Sequence, residues 1–194
     1  MRRPTERVAA LAAGPPTLRA LAIRAVLVIA GSMLMALGAK LSIPIGPVPI
    51  TGQTLALPIV VALLGTTQGT LALALYLVEG AAGLPVFASG SAGPAVLLGP
   101  TAGYLWAMPV AAFMIGWMFD AGLARSYGGR VLAIFLGTAI VLAAGMSWLS
   151  YFVGGLPRAF ALGVAPFVIG DGAKVLIAAG VPALWRRIAA AIGL

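Results

Sequence analysis

Apolar residues in this chain gather into six long runs, at about 20–39, 50–64, 69–83, 101–119, 131–153 and 164–184, and most of the charged residues lie between or outside them. A bilayer-spanning helix needs about 20 predominantly apolar residues. The pattern therefore predicts an all-α integral membrane protein: six transmembrane helices in one compact domain over 20–187, with no room for a second. The second and third runs are short, and Gly65-Thr66-Thr67-Gln68 between them predicts a tight helical hairpin. Residues 1–19, with Arg2, Arg3, Arg7, Pro4, Gly14, Pro15 and Pro16, read as a disordered basic cytoplasmic tail whose arginines can rest on anionic lipid. A cleaved signal peptide fits less well than a retained first helix, because the basic stretch is long and the apolar run approaches the length of a full span.

Two connections break the pattern. Residues 40–51 and 84–100 are apolar yet rich in Pro and Gly, so they cannot continue as helix. Non-helical apolar backbone at membrane depth is tolerated only when it is buried in protein or lines a cavity. Both connections are expected to be ordered extracytoplasmic loops, acting as lids on the outer face or, for the first taken alone, as a simple interhelical turn.

Composition removes whole classes of activity. Hydrophobic residues make up 62% of the 194 and charged residues only 8%, against about 25% charged in a soluble domain. There is no His and no Cys, and the four carboxylates are Glu6, Glu79, Asp120 and Asp171. Histidine-based catalysis, thiolate metal sites, disulfides and paired-carboxylate hydrolysis therefore lack raw material, and no cofactor or metal is expected. The net charge of +8 would suggest nucleic acid in a soluble protein, but here the cations sort by side of the membrane and no nucleic-acid partner is expected. Six spans place Arg2, Arg3, Arg7, Arg19, Arg24, Arg125, Arg130, Arg186 and Arg187 on one side, and Lys40, Arg158 and Lys174 on the other. The positive-inside rule then predicts a multi-pass protein of the cell membrane with both termini cytoplasmic. No phosphate-binding P-loop occurs, since Ala173 precedes Lys174 where a glycine would be required, so any ATP-driven work falls to partners.

Candidate chemistry concentrates at the outer side. Asp171 and Lys174 sit three residues apart on one face of the sixth span; charges inside spans usually face the bundle interior and serve a site, or form an internal pair that neutralises itself. Glu79, one turn after Tyr76, is either a second acceptor in the same cavity or a helix-end carboxylate reaching interfacial water. Asp120 is a solvated interface residue close to Arg125. Thr51 and Gln53 lie at the base of the first outer loop, and Ser89, Ser91, Thr101 and Tyr104 around the second.

Four stretches together carry a resemblance: Pro47-Val-Pro-Ile-Thr-Gly-Gln-Thr54, Leu75-Tyr-Leu-Val-Glu-Gly-Ala-Ala-Gly-Leu-Pro-Val-Phe87, Leu98-Gly-Pro-Thr-Ala-Gly-Tyr104 and Gly170-Asp-Gly-Ala-Lys174. In this order and spacing, over about residues 20–185, the chain resembles the BioY family, the biotin-specific substrate-binding subunits of energy-coupling-factor transporters. The resemblance implies a six-helix subunit that captures biotin from outside and assembles with a transmembrane coupling subunit and two ATPase subunits. It implies that Asp171 and Lys174 contact the ligand's polar groups and that the loop carrying Thr51 and Gln53 acts as a lid. The chain departs from many relatives around Ser89, where Asn or another polar residue is common. It departs also at Gly52 and Gly172, where larger apolar residues are common and glycine is expected to widen the pocket. Two rivals remain at this point: a stand-alone secondary transporter coupled to protons through Asp171 or Glu79, and an integral-membrane enzyme.

Overall fold

The computed structural model describes residues 17–191, with side chains placed through Pro182. The basic tail at 1–16 and the side chains of Arg186 and Arg187 lie outside the described residues. Helix α1 spans Leu18–Lys40, beginning where the Thr17 hydroxyl accepts from the Ala20 amide and caps the first turn. Its 23 residues reach about 35 Å at 1.5 Å per residue, enough to cross the hydrocarbon core.

The first outer connection forms a minimal antiparallel ladder, β1 (Ser42–Ile43) against β2 (Ile50–Thr51), with Ser42 opposite Thr51 and Ile43 opposite Ile50. The all-α class holds, and this two-residue ladder is the only strand pairing among the described residues. The backbone groups of a non-helical apolar loop must find partners, and a strand pair supplies them. The root of the loop is clamped to α1: the Gly52 amide donates to both Gly38 O and Leu41 O at 2.9 Å. A Cβ on Gly52 would stand 2.9 Å from Gly38 O, so only glycine permits this approach.

Helix α2 (Gln53–Ala81) consists of two helical arms joined at a kink, where Gly65 leaves helical geometry (φ 77°, ψ 179°). Its two arms fold back on each other. Gln53 Nε2 donates to the Tyr76 hydroxyl at 2.8 Å, whereas 23 residues of straight helix would separate them by about 35 Å. Gly69 lies so close to the Val61 backbone that a Cβ would meet it at 3.1 Å. The hairpin expected around Gly65 is thus present. Such φ/ψ values are essentially restricted to glycine, so Gly65→Ala is expected to cost about 1–3 kcal/mol. A lowered melting temperature in detergent checks this, with Gly46→Ala, where nothing lies within 4 Å of the added carbon, as the neutral control.

The second outer connection is a chain of turns containing a single 3₁₀ turn at Ala88–Gly90, tied back to α2 where Gly93 N donates to Gly80 O at 2.8 Å. Helices α3 (Ala102–Asp120) and α4 (Tyr127–Val153) follow. They pack closely through small residues: a Cβ on Gly103 would lie 2.7 Å from Ala144 O, and Gly145 accepts the Tyr104 ring against its backbone. The left-handed Gly154 (φ 86°) ends α4. An eight-residue helix α5 (Leu156–Gly163) comes next, with Pro157 in its first turn. The sequence pattern read this stretch as loop, because Gly154, Gly155 and Pro157 are turn residues. A 3₁₀ turn at Ala165–Phe167 leads into α6 (Val168–Ala191). The buried Arg130 fastens α4 to α6, with Nε donating to Ala179 O at 2.7 Å, while the Tyr127 hydroxyl donates to Leu176 O at 3.0 Å.

Large apolar side chains face outward along the helices, among them Ile23, Leu37, Phe113, Trp117, Phe135 and Ile177. A soluble surface rarely tolerates so much exposed apolar area. Five helical stretches among the described residues are long and apolar enough to cross a bilayer, α2 counted once and α5 with α6 counted together. The chain is a multi-pass membrane protein.

Candidate functional site

The first arm of α2, with α3, α4 and α6, encloses a cavity of about 70 Å³ at the end of the bundle where the two loops lie. Val48 and Pro49 from the first loop and Phe87, Ala88 and Ser91 from the second line it. The loops are joined above it by the hydroxyls of Ser42 and Ser89, 3.0 Å apart. Phe87 is 1% exposed and stands edge-on to Tyr76, with ring centroids 5.4 Å apart, so one wall is rigid and apolar.

The polar groups converge on α6. Asp171 Oδ1 accepts from Thr54 Oγ1 at 2.7 Å and from Lys174 Nζ at 2.9 Å. Lys174 also donates to Thr51 O at 2.7 Å and Thr54 Oγ1 at 3.0 Å. One helical turn separates Asp171 from Lys174, which is why the pair shares a face. Asp171 is 3% exposed, and its Oδ2 has no partner among the described residues. A buried carboxylate oxygen left without a donor is costly, so this atom marks where a ligand's N–H would be stabilised most.

The remaining polar lining is largely engaged within the protein. Gln53 donates to Tyr76 and accepts from Thr51 Oγ1 at 3.0 Å. The Tyr104 hydroxyl donates to Gly163 O at 2.8 Å, joining α3 to the end of α5. Thr101, at the start of α3, lines the cavity too. The structure therefore brings together seven of the nine outer-side residues singled out: Thr51, Gln53, Ser91, Thr101, Tyr104, Asp171 and Lys174. It leaves two apart. Glu79 accepts a hydrogen bond from Ser32 between α1 and α2, and the Ser89 hydroxyl pairs with that of Ser42.

Thr54 was missed by the sequence reading although it bonds both charged groups. Its signal was present, one residue beyond Gln53 in the Thr51–Thr54 stretch, but a threonine at a helix start usually acts as a local cap. The expectation that Gly52 and Gly172 widen the pocket is also corrected. Gly52 is packed on Gly38, Gly172 has open space where a side chain would be, and neither lines this cavity. No group of three His, Cys, Asp or Glu side chains able to hold a metal occurs among the described residues.

Comparison with known proteins fits this architecture. The chain is 41% identical over 145 residues to a probable biotin transporter BioY of Pyrococcus horikoshii, covering 75% of this chain and 85% of the relative. It is 39% identical over 146 residues to the biotin transporter BioY of Thermotoga maritima, with the same coverage of each. The crystal structure of the S-component for biotin from an ECF-type ABC transporter superposes with a TM-score of 0.80 at 26% identity, covering 89% of this chain and 95% of that one. These relatives are transporter components, not enzymes. With residues 9–190 matching the family description as well, the chain belongs to the BioY family.

Proposed function

We propose that this chain is the biotin-binding membrane subunit of an energy-coupling-factor transporter and mediates biotin uptake into the cell. The observation that carries this reading is Asp171, which lines a mainly apolar cavity under two ordered loops and whose buried Oδ2 has no partner among the described residues. Biotin offers two ureido N–H donors, a ureido carbonyl, an apolar thiophane ring and an anionic tail. Asp171 Oδ2 accepts a ureido N–H, and the Thr101 hydroxyl lies in the same wall to serve the ureido group's other polar atoms. Phe87, Met108 and Phe167 cover the ring. Gln53 and Tyr104 act through shape, since their polar atoms hold Tyr76 and Gly163.

The fold-back at Gly65 supports six crossings, with both termini in the cytoplasm of a cell-membrane protein and the cavity open to the outside. The cation distribution supports the same orientation. Without a P-loop of its own, the chain takes its energy from a transmembrane coupling subunit and two ATPase subunits. Mass spectrometry of small molecules retained by the detergent-purified chain is expected to recover biotin. Recovery of a different vitamin, or uptake that collapses with the proton gradient and needs no ATPase partner, would overturn the reading.

A further inference from the structure

Arg130 lies in the first turn of α4, at the end of the bundle opposite the loop-covered cavity, and is only 7% exposed. Its Nε donates to Ala179 O at 2.7 Å and its Nη1 to Arg125 O at 3.0 Å, with Cζ 5.9 Å from the centre of the Tyr127 ring. A guanidinium has five N–H donors, and among the described residues Nη2 has no acceptor. Backbone carbonyls take hydrogen bonds but leave the charge in place. The one ion pair among the described residues is Asp171 with Lys174, and Asp120, the carboxylate at this end, accepts from Thr66. A buried cation without a counter-ion is costly.

The surroundings specify the missing anion. Gly129 N and Arg130 N are satisfied by the Ser126 hydroxyl and carbonyl, whereas the Tyr127 and Gly128 amides have no acceptor among the described residues. Such orphaned amides are the positive end of the helix dipole. A Cβ on Gly128 would meet nothing within 4 Å, so there is room beside them. The side chains exposed around this turn are Leu123, Tyr127, Leu132 and Leu176, a setting for hydrocarbon and headgroup rather than for a water-borne ion. Farther along the same two helices runs an open apolar groove of about 320 Å³, lined by Phe135, Thr138, Ala139, Gly172 and Val175.

We infer that Arg130 and the first turn of α4 bind the phosphate of an anionic phospholipid, with an acyl chain lying in the groove between α4 and α6. On the orientation proposed above this is the cytoplasmic leaflet, whose surface is negative. The inference does not depend on the identity of the transported solute.

The test uses the full chain, stripped of lipid in detergent, titrated with phosphatidylglycerol, phosphatidylcholine or inorganic phosphate and read by native mass spectrometry. The wild type is expected to retain one phosphatidylglycerol about tenfold more tightly than phosphatidylcholine, or 1.4 kcal/mol. Inorganic phosphate, which has no chain for the groove, is expected not to displace it. Arg130→Met is expected to abolish the preference. Gly128→Glu should abolish it as well, by filling the open space with a resident carboxylate while Arg130 stays in place, and should raise the melting temperature. Arg125→Gln removes the same charge from an exposed side chain packed over Gly122, and is expected to keep the preference.

Equal retention of the two lipids by the wild type would end the proposal whatever the variants do. An Arg125→Gln protein that loses as much as Arg130→Met would end it too, because the lipid would then follow the overall charge of this end. Displacement by inorganic phosphate would show an anion site that does not read a lipid. Should Arg130→Met not fold, since it also unfastens α4 from α6, Gly128→Glu decides: a preference unchanged in that variant overturns the site.

Discussion

Asp171→Ala is expected to lower biotin affinity at least a hundredfold, about 2.7 kcal/mol, and to destabilise the fold as well. The binding loss follows from the removal of the cavity's unpartnered carboxylate oxygen, since a hydrogen bond to a charged group contributes about 1.5–3 kcal/mol. The stability loss has a separate cause. Asp171 is the carboxylate paired with Lys174, and their side chains are only 4% and 18% exposed. Breaking a buried pair from one side costs about 3–5 kcal/mol, because the remaining charge is left uncompensated. The two effects can be separated. Replacing both members by apolar residues of similar volume, Asp171→Leu with Lys174→Met, is expected to restore much of the melting temperature, as such replacements are often neutral. Calorimetry on the same double variant should still detect no biotin binding. A double variant that binds as the wild type does would show that Asp171 is not the ligand's acceptor.

The second large effect is expected at a position with no polar atom in its side chain. A Cβ on Gly80 would lie 2.0 Å from the Phe87 ring, and Phe87 is fully buried against Tyr76 and forms part of the cavity wall. Gly80→Val must therefore expel the ring. Overpacking of this kind typically costs about 1–3 kcal/mol, and losing the ring from its site approaches the penalty of Phe→Ala, about 3–5 kcal/mol. Biotin affinity is expected to fall at least tenfold, about 1.4 kcal/mol, with Asp171 and Lys174 intact. Phe87→Ala alone should weaken binding similarly. Combining Gly80→Val with Phe87→Ala should be less damaging than the sum, because the clash disappears with the ring, and residues in contact couple in this way. Strict additivity in melting temperature and affinity would show that the two positions do not share the space assigned to them.

Much of the helical framework was legible because α1, α3 and α4 each coincide with one unbroken apolar run. The expected 20–39, 101–119 and 131–153 became Leu18–Lys40, Ala102–Asp120 and Tyr127–Val153. Gly65 stood out as a breaker between two short runs, and the chain reverses there. The stretch at 154–163 was not legible: an eight-residue helix introduced by two glycines and a proline has too few turns to be told from a loop. The strand pair at 42–51 was hidden for the same reason, two residues being too short to show alternation.

At the site, Asp171 and Lys174 were legible through scarcity: charges are so costly inside spans that few survive without a role. Glu79 obeyed the same rule yet found its partner in Ser32 of α1, and neither residue lines the cavity. Sequence spacing says which residues share a helical face but not which neighbour that face meets.

The amino-acid sequence by itself determined the membrane class, the number and placement of the apolar runs, the reversal at Gly65 and the acid and lysine one turn apart on the last helix. These follow from local quantities: hydropathy over about 20 residues, backbone freedom at glycine and helical periodicity. Only the tertiary structure decided that Thr54 bridges the charged pair, that Lys174 spends its donors on Thr51, Thr54 and Asp171, and that Oδ2 of Asp171 is the oxygen left over. Those facts join residues 120 or so positions apart, where packing between α2 and α6, and no local preference, sets the distance.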